Sequence, residues 1–191
     1  MSVAITGNTF LIQKKLLKLI GSDFRIFDEH NKEVLFAHLK AFKLKEDITL
    51  YTDESKSTAV INIKARSIID FSSAYDFYDV ATGNKIGAAK RKGFKSILRD
   101  EWILMGPDSD NEVGMIQEDS MLMAILRRFV TNLIPQKFQV TMSNEQVASY
   151  QNNFNPFISK VTIRISNPEK YNPLFAISMG VLLCAIEGKQ R

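Results

Sequence analysis

The sequence is poor in the residues from which many chemical sites are built. Its 191 residues include one cysteine, Cys184, and two histidines, His30 and His38. A single cysteine excludes a disulfide framework and a cysteine-based zinc site. The two histidines have neither the spacing of a metal site nor that of a Ser–His pair. We therefore predict no metal, and we expect Cys184 to be a buried, inert thiol, because apolar surroundings disfavour the thiolate.

Catalytic and nucleotide-binding signatures are missing as well. There is no GxSxG, no P-loop and no GxGxxG. Residues 83–87 (GNKIG) resemble a glycine-rich loop, but the sequence after them does not have the pattern of the helix that such a loop requires. We predict no catalytic residue and no cofactor. The net charge is +4, from 25 basic and 21 acidic residues, which is too small to indicate a nucleic-acid partner.

No stretch has the pattern of a signal peptide, so we expect a cytoplasmic protein, with peripheral membrane attachment as an alternative.

Residues 174–186 (LFAISMGVLLCAI) are apolar apart from Ser178 and Gly180. As a helix they would be about 20 Å long, short of the roughly 30 Å of a bilayer core. Asn172 can cap this helix and Pro173 suits its first position, so we predict a helix over 173–187. Apolar on all sides, it must be surrounded by the protein itself, by a partner or by lipid.

Most of the remaining chain alternates between apolar and polar residues, which is typical of half-buried antiparallel strands. Residues 59–64, 137–142 and 161–166 show this pattern clearly, and turn residues separate such segments. We count about a dozen strands. Residues 120–134 predict a helix outside the sheet, and the amide-rich residues 143–156 predict a long loop.

A weak internal repeat relates residues 24–52 to residues 75–105, each reading as a strand, an acidic turn, a hairpin and a return strand. A dozen strands and one apolar helix fit together if the strands close around that helix. Eight strands would leave no room for it, whereas eleven or twelve would. The predicted fold is therefore mainly β (α+β): one domain over 1–191, forming a closed antiparallel barrel of about twelve strands around the C-terminal helix.

Three segments carry a family resemblance: residues 83–104 (GNKIGAAKRKGFKSILRDEWIL), residues 111–119 (NEVGMIQED) and the apolar C-terminal helix. Together they resemble the tubby-like superfamily, most closely the LURP-one-related proteins and their bacterial relatives, and more distantly the phospholipid scramblases. The resemblance implies a twelve-stranded barrel with the C-terminal helix through its middle. It also implies membrane-linked roles, such as phosphoinositide binding by tubby proteins, but no phosphoinositide motif can be matched here residue by residue.

The densest positive charge predicts a site for an anionic ligand, formed by Lys90, Arg91, Lys92, Lys95 and Arg99. We expect a non-enzymatic binding module that recognises anionic phospholipid headgroups, including phosphoinositide-like lipids, or an acidic protein partner. One alternative is a small-ligand carrier or enzyme with a pocket at the barrel mouth, near residues 143–156. Another is a scramblase-like protein whose helix enters lipid. Turn carboxylates at Asp28, Asp79, Asp108 and Asp110 could bind calcium, but Asx-turn hydrogen bonds explain them better.

Overall fold

A computed structural model describes residues 5–15, 22–40, 47–66, 74–92, 101–118, 136–153 and 158–187. These residues form twelve strands and one helix, α1 (Pro173–Glu187). The strands are β1 (Thr9–Lys15), β2 (Ser22–Phe27), β3 (Glu33–Leu39), β4 (Asp47–Tyr51), β5 (Ala59–Ala65), β6 (Ala74–Asp79), β7 (Lys85–Arg91), β8 (Glu101–Met105), β9 (Glu112–Glu118), β10 (Gln136–Met142), β11 (Glu145–Asn153) and β12 (Ile158–Ile165).

The twelve strands form a closed barrel in which each strand pairs antiparallel with its neighbours in the sequence. The first and last strands close the ring, with Ile12 opposite Val161. Closure leaves no unpaired strand edge. The prediction of a closed antiparallel barrel of about twelve strands is confirmed.

Helix α1 fills the interior of the barrel. Its side chains Ile177, Met179, Val181 and Leu182 are fully buried. The side chain of Asn172 caps the helix by accepting a hydrogen bond from the Leu174 N–H at 2.9 Å. These bounds match the predicted central helix 173–187. Among the described residues no helix has both the length and the hydropathy needed to cross a membrane.

Gly180 lies where the helix comes closest to the barrel wall. A Cβ atom at this position would be 2.9 Å from the Cδ1 atoms of both Ile12 and Ile163. Such a contact is too close without movement of the neighbours, because protein interiors are close-packed. The glycine interrupting the apolar run is therefore explained by the approach of α1 to strands β1 and β12.

The predicted long loop over residues 143–156 is wrong for most of its length, because β11 covers residues 145–153. The strand buries Val147, Ala148 and Tyr150, while its amide side chains remain half-buried or exposed. The many polar residues concealed this alternation. The predicted outer helix over 120–134 and residues 154–156 lie outside the described residues. The internal repeat of 24–52 and 75–105 stays a prediction.

Candidate functional site

The three described members of the predicted basic site lie near the end of β7, and they do not all face the same side of the barrel wall. Lys90 is exposed. Arg91 is half-buried and pairs in register with the buried Trp102, so it lies on the inner side of the barrel wall. The Nζ atom of Lys92 is 3.4 Å from a carboxylate oxygen of Glu101. Lys95 and Arg99 lie outside the described residues, so the five-residue site stays a prediction.

Three of the four turn carboxylates have roles within the fold, whereas Asp108 forms no hydrogen bond among the described residues, so the Asx-turn expectation is wrong for it. Asp28 accepts hydrogen bonds from the N–H groups of His30 and Lys32, each at 2.9 Å. Asp79 accepts one from the Thr82 N–H at 2.8 Å. These are the expected Asx-type bonds. Asp110 differs, because its carboxylate binds the guanidinium of Arg66, with two contacts of 2.7 Å. Within the described part of the chain, no three His, Cys, Asp or Glu residues come together as a group able to hold a metal ion.

His38 lies in a row of polar side chains that crosses four strands, β2 to β5, on the outer face of the barrel. Its Nδ1 atom is 2.7 Å from Oδ1 of Asp23. Thr49 is its register partner on β4, but the Thr49 hydroxyl donates its hydrogen bond to Asn62 at 3.0 Å. A hydroxyl nucleophile must give its proton to the histidine, so this row does not have the arrangement of a Ser–His–Asp type triad.

A second group of cations lies on the other side of the barrel, on the outer face of β10, β11, β12 and β1. We call the outward side chains of these four strands the basic face. Among the side chains that the structure describes, its cations are Lys137 and Arg164, which are exposed, and Lys160, which is half-buried. Their neighbours along the strands, such as Phe138, Val161 and Ile163, are buried in the core. Because successive side chains of a strand point to opposite faces, the three cations point outward.

Strand pairing brings hydroxyl and amide side chains between these cations. One cross-strand row consists of Gln139, Ser149, Arg164 and Thr9. The adjacent row consists of Lys137, Gln151, Thr162 and Leu11. With about 4.8 Å between strands and about 3.4 Å per residue, the three cations lie roughly 12–14 Å apart at the backbone. Hydrogen-bond donors thus occupy the space between the positive charges.

The basic face is almost without carboxylates. The only Asp or Glu in its four strands is Glu145, at the hairpin end of β11, and this residue binds Lys170. Within the described residues Lys137, Lys160 and Arg164 form no ion pair. By contrast, Lys92, just after β7, has Glu101 beside it. The face therefore presents positive charge that the described chain does not neutralise.

Sequence reasoning missed the basic face because its cations are far apart in the chain. Lys137 precedes Lys160 by 23 positions, and the intervening residues 143–156 read as a loop. Once β11 is recognised as a strand, its pairing with β10 and β12 places the cations on one surface. The usable signal was the absence of acidic residues over 146–166, where the sequence contains neither Asp nor Glu.

A cavity opens at the end of the barrel where α1 begins. Its volume is about 560 Å³, and it lies between the start of the helix and the turns that follow β6 and β8. Met142, at the end of β10, forms part of its wall. A pocket at the barrel mouth was one of the alternatives that the sequence left open, and the cavity lies beside the turn that precedes β11.

The comparisons with known proteins agree with this architecture. No curated protein matches the chain. A family model described as LURP-one-related matches residues 34–184, from strand β3 into the central helix. Because the match covers most of the barrel and most of the chain, this protein belongs to the LURP-one-related family.

Proposed function

We propose that this chain is a non-enzymatic binding module whose basic face recognises anionic phospholipid headgroups. The observation that carries the proposal is the set of three outward cations, Lys137, Lys160 and Arg164, on strands with almost no carboxylate. A phosphate group on this face would meet positive charge and would accept hydrogen bonds from neighbouring amide and hydroxyl groups.

The composition of the face favours headgroups over nucleic acid. Its outward side chains include no aromatic ring, because Phe138 and Tyr150 point into the core. Single-stranded nucleic acids are usually held by stacking of bases on aromatic side chains as well as by charge. The lysine, arginine, amide and hydroxyl groups of this surface suit contacts to phosphate groups, and no ring is available for base stacking.

The expected affinity is modest and depends on salt. Each Lys or Arg near an anionic membrane contributes about 1 kcal/mol, so three cations contribute about 3 kcal/mol. Exposed charges are screened as the Debye length falls from about 30 Å at 0.01 M salt to about 3 Å at 1 M. Binding by this face should therefore be strong only at low salt or on highly charged vesicles.

Vesicle co-sedimentation tests the proposal. We expect binding to phosphatidylcholine vesicles that contain phosphatidylserine or a phosphoinositide, and none to phosphatidylcholine alone. A triple variant, Lys137→Gln, Lys160→Gln and Arg164→Gln, should weaken partitioning about 100-fold, corresponding to the loss of about 3 kcal/mol.

A matched control removes three charges elsewhere. Lys32→Gln, Lys40→Gln and Lys64→Gln lower the net charge equally at exposed positions outside both the basic face and the predicted site around Lys90. This variant should bind nearly as well as the wild type. The proposal fails if the wild type does not bind anionic vesicles at low salt. In that case an acidic protein would be the next partner to test. It also fails if the control loses as much binding as the face variant.

A further inference from the structure

We propose that the cavity at the barrel mouth binds an uncharged hydrocarbon group, such as a single acyl chain whose polar end remains in solvent. Its volume of about 560 Å³ is within the range of roughly 300–1,000 Å³ found for small-molecule sites. The site is separate from the basic face, and the proposal does not depend on phospholipid binding by that face.

The lining of the mouth cavity is mainly apolar. It includes Ile86, Met105, Val113, Met142, Leu174 and Phe175. Val113 is 39% exposed, which makes it one of two exposed large apolar side chains among the described residues. Two methionines add surface that adapts to ligand shape, because their side chains are unbranched and flexible. Water forms few hydrogen bonds with such a surface, whereas a hydrocarbon group would cover it.

The polar groups around the cavity are already engaged within the protein. Asp79 accepts hydrogen bonds from the N–H and the hydroxyl of Thr82 at 2.8 and 3.0 Å. Lys170 binds the carboxylate of Glu145. The helix N–H groups of Leu174 and Phe175 donate to the side chain of Asn172. A charged or strongly polar ligand would have to break these bonds, so the lining selects an apolar ligand.

The floor of the cavity is packed and cannot easily collapse into it or open further. The ring of Phe175 meets Phe77 edge to face, with 4.9 Å between centroids, and contacts Tyr171 at 5.8 Å. A Cβ atom on Gly87 would be only 3.0 Å from Phe175 Cζ, so the ring lies directly on the backbone of β7. The site is therefore preformed, which lowers the entropic cost of binding.

Ion pairs hold one wall of the cavity in place. Gly106 and Pro107 line the cavity, and they belong to the turn whose Asp110 is held by Arg66 and Lys85. The turn is thereby tied to strands β5 and β7. This link keeps the wall in place, and none of its three charged residues lines the cavity.

Methyl NMR with octyl glucoside, below its micelle concentration, tests the site with an uncharged single-chain probe. We expect saturable shifts that report one bound molecule and that centre on Ile86, Met105, Val113, Met142 and Leu174. Val113→Trp should weaken binding at least tenfold, because the indole occupies the cavity. Since Val113 is already exposed, this variant should fold normally, which the NMR spectrum checks directly.

Val80→Trp is the matched control. Val80 is 38% exposed, close to the value for Val113, but it does not line the cavity. It should leave the affinity unchanged. The proposal is overturned if octyl glucoside shows no saturable binding, if the shifts centre elsewhere, or if the two tryptophan variants bind equally. Because the probe has neither charge nor phosphate, its result is independent of the vesicle experiment.

Discussion

Tyr150 joins the barrel wall to the central helix through a buried hydrogen-bond chain. Its hydroxyl donates to the Ala176 carbonyl at 2.9 Å, so the Tyr171 hydroxyl, 2.7 Å away, donates to Tyr150. Burial raises the pKa of both phenols, which therefore remain protonated.

Tyr150→Phe would leave the buried Tyr171 hydroxyl without its acceptor. We expect the free energy of unfolding, measured by urea denaturation, to fall by about 1–3 kcal/mol.

Tyr171→Phe is the informative comparison. It removes the donor at the end of the chain but leaves the bond from Tyr150 to Ala176 intact. The expected loss is smaller, about 0.5–1.5 kcal/mol, because no buried polar group loses its only partner. A Tyr150→Phe variant that is as stable as Tyr171→Phe would contradict this reading of the hydrogen bonds.

At the scale of elements, an ion-pair network fastens the turn between β8 and β9 to the outer face of the barrel. Arg66 binds both Asp76 and Asp110, and Lys85 lies 3.2 Å from each of the two carboxylates. Hydrogen bonds from Arg66 and Lys85 hold the pKa of Asp110 below its usual value. For Asp76, burial acts in the opposite direction, but the bonds from the same two cations leave its pKa lowered.

The lowered pKa values predict how stability changes in acid. A carboxyl group whose pKa is depressed by folding stabilises the folded state above its unfolded pKa, about 3.9, and this contribution is lost as the pH falls below that value. Asp110→Asn should therefore lower the urea midpoint at neutral pH. The difference from the wild type should shrink as the pH is lowered below about 4, because the unfolded wild-type chain then takes up protons at these carboxyl groups.

Asp108→Asn provides the control for this prediction. Asp108 is exposed in the same turn and has no hydrogen bond or ion pair among the described residues. Its replacement should leave the urea midpoint nearly unchanged at every pH. If Asp108→Asn and Asp110→Asn behave alike, the network does not fasten the turn.

At the scale of the whole molecule, the barrel and its central helix share one core. Six large helix side chains are less than 10% exposed: Phe175, Ile177, Met179, Val181, Leu182 and Leu183. Their burial contributes about 9–18 kcal/mol as an upper estimate, at about 1.5–3 kcal/mol each. This is comparable to the entire net stability of a domain, about 5–15 kcal/mol. The barrel should therefore not fold without the helix.

Deleting residues 172–191 tests this dependence. We expect the truncated chain to lose its dispersed NMR spectrum and its cooperative urea transition. A chain ending at Glu187 retains the whole of α1 and should remain folded. A truncated chain that stays soluble and folded would show that the barrel stands alone, and would favour a helix that can leave it for lipid.

The sequence determined the barrel and its central helix because both follow from local patterns. Alternating residues, such as Val161, Ile163 and Ile165, record which face of a strand is buried, and an apolar run such as 174–186 must be enclosed. Where the pattern was diluted by amides, in β11, the prediction was wrong. The periodicity is weak in β11 because its inward positions include the small Ala148 and the polar Asn152, whose register partner is the buried Val161.

Only the tertiary structure decided which distant residues form a surface or a cavity. Lys137, Lys160 and Arg164 become neighbours through the register of β10, β11 and β12, and the mouth cavity joins segments from five separate parts of the chain. The orientation of Arg91 toward the interior likewise follows from its pairing with Trp102. Such relations depend on strand register, and a shift of one residue would turn each side chain to the opposite face.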